Sequence, residues 1–202
     1  SDVLSTWAGV RPVIAAEKSK DPSKERRDHA VWSDNGLITV SGGKLTTFRL
    51  IALDALAAAK DNLPKAKEIA DDRVFLTPTI TAQSLSPENT SWAQRLLGRY
   101  GEKAIELVNE SSPDEHHNLN ETEFSLAECR WAIKYEAVEH LDDLLLRRTR
   151  LGMCLPNGGT NLYPALQELF SLNQNWDDER WQKEVPRYET IWKKYYSLPS
   201  NV

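Results

Sequence analysis

HAVWSDNGLITVSGGKLTTFRLIALDALAAAKDN, residues 29–62, changes its hydrophobic period midway, and that change decides the fold of this part of the chain. Residues 29–32 and 37–40 are short β-prone runs, and Asn35-Gly36 between them supplies the positive φ angles that a two-residue hairpin turn needs. After Gly42-Gly43 the apolar residues Leu45, Phe48, Ala52, Ala55, Leu56 and Ala59 recur at helical spacing, until Asn62-Leu63-Pro64 ends the pattern. The order is strand, tight turn, strand, glycine turn, helix.

Working outward, residues 7–14 (WAGVRPVI) are apolar around Gly9, Arg11 and Pro12 and read as a strand end or a buried extended segment. Residues 15–28 are charged and read as a solvated loop. On the other side, residues 61–90 carry Pro64, Pro78 and Pro87 among polar stretches and read as a connection between two bodies. From about residue 88 the pattern is helical. Trp92, Leu96 and Tyr100 share one face, and Ala104, Ile105 and Val108 form the next after a break at Gly101. Ser125 and Glu128 make a capping-box signature, followed on one face by Leu126, Cys129, Ile133 and Ala137. Residues 141–151 read as another helix or the continuation of that one, stopped by Gly152, Pro156 and Gly158-Gly159; residues 163–172 and 177–196 read as two more. The fold class is mainly α: a helical C-terminal domain preceded by a short β-hairpin and helix.

Composition narrows the function classes. The 202 residues carry 25 Lys or Arg against 30 Asp or Glu, a net charge of −5, which argues against a protein that binds nucleic acid by counterion displacement. Residues 1–60 hold nine Lys or Arg against seven Asp or Glu, and residues 61–202 hold 16 against 23. An anionic ligand is therefore sought first near the N-terminal segment. The longest apolar run, Leu50 to Ala59, is interrupted by Asp54 and falls far short of the roughly 20 residues that span a bilayer. Cys129 and Cys154 have no metal-ligand spacing and read as buried free thiols, which leaves no metal site indicated.

Two elements could carry chemistry. Ser41 to Thr47 (SGGKLTT) places two glycines before a helix N-terminus, where unpaired N–H groups and the helix dipole favour an anion. It lacks the loop length and the Ser or Thr after lysine of a nucleotide P-loop, and glycines that merely pack the helix start are an equal reading. Arg11 stands in an apolar stretch and needs a partner, either a ligand phosphate or carboxylate or a structural acid. Elsewhere, His116-His117 reads as a loop pair, and Asp142-Asp143 with Arg147, Arg148 and Arg150 reads as ion pairing on a helix surface.

WAGVRP at residues 7–12 and SGGKLTTFR at residues 41–49, joined by Arg27-Asp28 and the Asn35-Gly36 turn, resemble the C-terminal part of the FAD-dependent respiratory glycerol-3-phosphate dehydrogenases. The helical region resembles them too, at Leu126 to Ala137 and at LLLRRTRLGM, residues 144–153. The resemblance implies an enzyme that oxidises sn-glycerol 3-phosphate to dihydroxyacetone phosphate on FAD and passes electrons to quinone. It implies substrate contacts from Arg11, Arg27 and Lys44, and a flavin-facing backbone over Gly42, Gly43, Lys44, Leu45 and Thr46. It also implies peripheral association of the parent enzyme with the cytoplasmic face of the membrane. A GxGxxG dinucleotide fingerprint occurs nowhere in the 202 residues.

The expectation is therefore a C-terminal fragment. Residues 1–62 would be the end of an FAD-binding domain, residues 63–87 a linker and residues 88–202 the helical domain. An N-terminal FAD domain would be its partner, the chain alone would be inactive and without bound FAD, and the exposed hairpin edges could pair copies into a homo-oligomer. The alternative is a noncatalytic helical interaction module that packs on a catalytic body.

Overall fold

The computed structural model describes residues 2–10, 28–63 and 79–199. Backbone contacts divide the chain into two compact units, one of Gly9–Leu76 and one of Ser1–Ala8 with Thr77–Val202.

In the smaller unit, β1 (His29–Asp34) pairs antiparallel with β2 (Leu37–Gly42), with Asp34 opposite Leu37, so that Asn35-Gly36 is a two-residue turn. Both turn residues have positive φ, 49° and 85°, as the right-handed twist of a hairpin demands. A 3₁₀ turn, Leu45–Thr47, leads into α1 (Phe48–Ala59). No described residue of this unit is buried. Trp32, Leu45, Phe48, Leu50, Leu53 and Leu56 are all exposed, which puts six large apolar side chains on the surface of the described residues.

In the larger unit, α2 (Ala82–Leu85), α3 (Thr90–Tyr100), α4 (Lys103–Asn109) and α5 (Leu126–Tyr135) precede α6 (Leu151–Cys154), α7 (Tyr163–Gln174) and α8 (Asp178–Tyr195). Two apolar clusters meet at α5. Ala127 and Trp131 pack with Trp92, Leu96 and Leu107, while Cys129, Ala132 and Ile133 pack with Leu145, Leu166 and Phe170. A helix buried on both faces needs its N-terminal donors satisfied from within, and the Ser125–Glu128 capping box does so. Glu128 is fully buried and accepts from Ser125 N (3.0 Å), Tyr100 Oη (3.3 Å) and the Arg95 guanidinium. Trp92 Nε1 donates to Ser125 Oγ at 3.2 Å, so the cap also ties α3 to α5.

Several readings of the sequence are corrected here. The helix carrying Cys129 ends at Tyr135, and Ala137 adopts a positive φ of 51° rather than continuing the apolar face. Residues 143–148 form a π-helical turn, and the break falls at Arg150, whose φ of 58° is left-handed; Gly152 lies inside α6 instead of stopping a helix. Cys154 is exposed, and only Cys129 is the buried thiol expected. Trp7 and Val10 are exposed in a segment without regular structure, so residues 7–10 are neither strand nor buried; residues 11–14 lie outside the described residues.

Gly152 has a packing reason. A Cβ there would lie 2.3 Å from the hydroxyl of Tyr188, a fully buried side chain that donates to Gly158 O at 2.6 Å. Gly152→Ala must displace that hydroxyl, and we expect a loss of about 2–4 kcal/mol from overpacking plus the broken hydrogen bond. Urea unfolding checks this, and an unchanged midpoint would show that Tyr188 moves freely.

Candidate functional site

The glycine turn of the smaller unit is built from three constraints. Gly42 and Gly43 both have left-handed φ angles, 79° and 84°, which turn the chain from β2 toward α1. Gly43 is further fixed by space, because a Cβ there would lie 2.5 Å from Ile51 Cδ1 and 3.3 Å from His29 Cβ. Gly43 N then donates to Asp28 O (3.3 Å), and Thr47 Oγ1 and N both donate to Lys44 O (3.0 Å each), which fixes the path of the turn.

The result is an exposed row of residues at the start of a helical run. Lys44, Leu45 and Thr46 are exposed, and the N–H groups of Leu45 and Thr46 make no hydrogen bond among the described residues. The ammonium of Lys44 makes no ion pair among the described residues either. Free donors, a helix N-terminus and one cation together form a surface that attracts a negative group.

Of the residues expected to bind a ligand, Gly42, Gly43, Lys44, Leu45 and Thr46 form this one continuous turn. Arg11 and Arg27 lie outside the described residues. The sequence reading missed a neighbour of the turn: His29 Nε2 sits 2.6 Å from Asp54 Oδ2, joining β1 to α1. The signal was present in Asp54, the one charge interrupting the apolar run of α1.

In the larger unit His116 and Asp142 are both engaged by neighbouring side chains. His116 stacks on Trp92 with ring centroids 4.6 Å apart, and its Nε2 lies 2.9 Å from Ser111 Oγ. Burial is the largest influence on the His116 imidazole and pushes its pKa down. Asp142 is buried rather than on a helix surface, and it holds Arg147 and Arg187. Burial works against its ionisation, but hydrogen bonds from the two guanidinium groups outweigh that and keep its carboxyl below the ordinary range. Among the described residues no cluster of His, Cys, Asp and Glu could hold a metal ion, and no helix is long and apolar enough to cross a membrane.

Residues 75–181 match the family described as the C-terminal domain of alpha-glycerophosphate oxidase, a span that contains α2 to α7 and excludes the glycine turn. The chain is 32% identical to the mitochondrial glycerol-3-phosphate dehydrogenase of Bos taurus, an alignment covering 91% of this chain and 28% of that protein. The human mitochondrial glycerol-3-phosphate dehydrogenase gives the same identity and coverage. The glycerol-3-phosphate dehydrogenase of Mycobacterium leprae is 31% identical over 93% of this chain and 34% of its own length. The chain belongs to this family, as the C-terminal region of FAD-dependent glycerol-3-phosphate dehydrogenases. It spans about a third or less of the length of these relatives.

Proposed function

We propose that this chain supplies one wall of the active site in a flavin enzyme that oxidises sn-glycerol 3-phosphate to dihydroxyacetone phosphate and delivers electrons to quinone. The observation that carries the proposal is the glycine turn: Lys44 and the N–H groups of Leu45 and Thr46, which have no acceptor among the described residues, are presented together at a helix start. This donor set fits the pyrimidine edge of a flavin, where negative charge collects on reduction and donors with a helix dipole stabilise it. FAD, when bound, supplies the hydride acceptor.

The chain's own residues would do the rest. Lys44, with Arg11 and Arg27 by their positions in the resembling motifs, would hold the substrate phosphate or the oxygen on C2. Cations at that oxygen stabilise the alkoxide formed when a base takes the C2 hydroxyl proton, and collapse of that alkoxide to the ketone expels the C2 hydride. Apart from residues 2–8 and α2, which pack with the larger unit, residues 1–62 would end a larger FAD domain and 88–202 would form the helical domain, with 63–87 linking them. The exposed apolar side chains of the smaller unit support this, since a larger flavin domain would cover them. Peripheral attachment to the cytoplasmic membrane belongs to the same reading.

The test compares two proteins with glycerol 3-phosphate and an artificial electron acceptor. At the full length of its relatives, the protein should purify with flavin and reduce the acceptor. The 202-residue chain should be colourless and inactive, because most flavin contacts lie outside it. A coloured, active 202-residue chain, or a full-length flavoprotein indifferent to glycerol 3-phosphate, would overturn the proposal.

A further inference from the structure

A second concentration of positive charge lies in the larger unit, on residues other than those assigned to the glycine turn. A cavity of about 750 Å³ is lined by Arg147, Arg150, Arg187 and Lys194, with Asp142 the one carboxylate among its lining residues. This unit belongs to the acidic part of the chain, where residues 61–202 carry 16 Lys or Arg against 23 Asp or Glu. Four cations converging on one cavity run against that average.

Local structure explains how they are held. Residues 2–8 strap across the unit, with Thr6 N donating to Tyr196 O (2.8 Å) and Ser5 Oγ to Met153 O (2.9 Å), and this places Trp7 on the cavity wall. The π-helical turn Asp143–Arg148 carries Arg147, and such turns are often found at functional sites. Asp142, itself 3% exposed at the side chain, fixes Arg147 from one side and Arg187 from the other. Asp143 and Glu184 approach the same guanidinium groups, at 2.9 Å from Arg147 and 3.8 Å from Arg187. All these contacts use Nη1, so Nε and Nη2 of both arginines keep their donors unengaged among the described residues.

The other two cations pair with no acid among the described residues. The Arg150 guanidinium is exposed and makes no hydrogen bond or ion pair among the described residues, on a backbone whose left-handed φ of 58° a long side chain rarely adopts. Lys194 lies over the Tyr195 ring at 4.8 Å and pairs with no carboxylate among the described residues. Two fixed forks and two cations without a carboxylate among the described residues suit a phosphate group, whose several oxygens accept from all of them. Trp7, 72% exposed, and Tyr195, 58% exposed, offer flat apolar walls beside the cations.

We propose that this cavity binds a small phosphorylated anion, with its phosphate or diphosphate on Arg147, Arg150, Arg187 and Lys194 and its organic portion against Trp7 and Tyr195. The site uses none of the proposed substrate contacts and does not depend on the flavin reading.

The 202-residue chain can be titrated with pyrophosphate, inorganic phosphate and ADP, followed by calorimetry, with vesicles of anionic phospholipid as a separate arm. The expected result is saturable pyrophosphate binding that weakens with salt and is at least about tenfold weaker in Arg150→Asn/Lys194→Gln, as loss of charge-assisted contacts implies. Asn tolerates the left-handed backbone at 150, so thermal melting of that variant should match the parent chain. Lys103→Gln/Lys183→Gln removes the same charge outside the cavity and should bind normally. ADP binding more tightly than pyrophosphate would add support for the aromatic wall. No saturable binding of any soluble phosphate, equal losses in both double variants, or binding confined to vesicles would overturn the proposal.

Discussion

Lys44→Ala, made in the protein at the full length of its relatives, is expected to lower kcat/KM for glycerol 3-phosphate by about 100-fold or more, the scale of removing one preorganised donor from a developing oxyanion. The side chain is exposed and makes no ion pair among the described residues, so its removal costs the fold little. The turn itself is set by Gly42, Gly43 and the bonds from Thr47 to Lys44 O, none of which needs the ammonium. Retained flavin with lost turnover would therefore locate the defect at the substrate. A fall in kcat would place Lys44 at the reacting oxygen, and a rise in KM alone would place it at the phosphate. Unchanged kinetics would remove Lys44 from the site.

Glu128→Ala is expected to destabilise the larger unit by about 3–5 kcal/mol, as breaking a buried charged network by deleting one partner ordinarily does. The carboxylate is fully buried and serves the N–H and hydroxyl of Ser125, the Arg95 guanidinium and the Tyr100 hydroxyl at once. Alanine strands the guanidinium and opens a cavity between α3 and α5. Domains of this kind have only about 5–15 kcal/mol in total, so the loss should be plain in urea unfolding. Glu128→Gln keeps the shape and some acceptors and should cost less than alanine. A loss under about 1 kcal/mol for Glu128→Ala would mean that water replaces the carboxylate, and that the network does not hold the two clusters together.

What could be read from the sequence was local and had a chemical signature. Asn35-Gly36 named its own turn because few other pairs accept two positive φ angles, and Ser125 with Glu128 named a helix start because the two side chains satisfy each other's backbone. The misreadings arose where tertiary packing overrides local preference. Gly152 looked like a stop but lies in a helix, beneath the Tyr188 hydroxyl, while the true break falls on Arg150, a residue with no preference for left-handed φ. The π-helical turn before it leaves the apolar pattern nearly intact and so carries no sequence signal. Trp7 and Val10 are apolar yet exposed, and composition cannot tell a core segment from one whose covering surface lies elsewhere. The glycine turn was legible as a donor surface, but only resemblance suggests a ligand for it. His29 and Asp54 are 25 positions apart, and only the hairpin brings them together.

The most direct test of the central claim, that this chain walls the active site of a flavin dehydrogenase, is an anaerobic titration of the full-length flavoprotein with glycerol 3-phosphate. The flavin absorption should bleach with wild-type protein, and far more slowly with Lys44→Ala at equal flavin content. A flavin that stays oxidised in wild-type protein, or one that bleaches at the same rate in both, would contradict it.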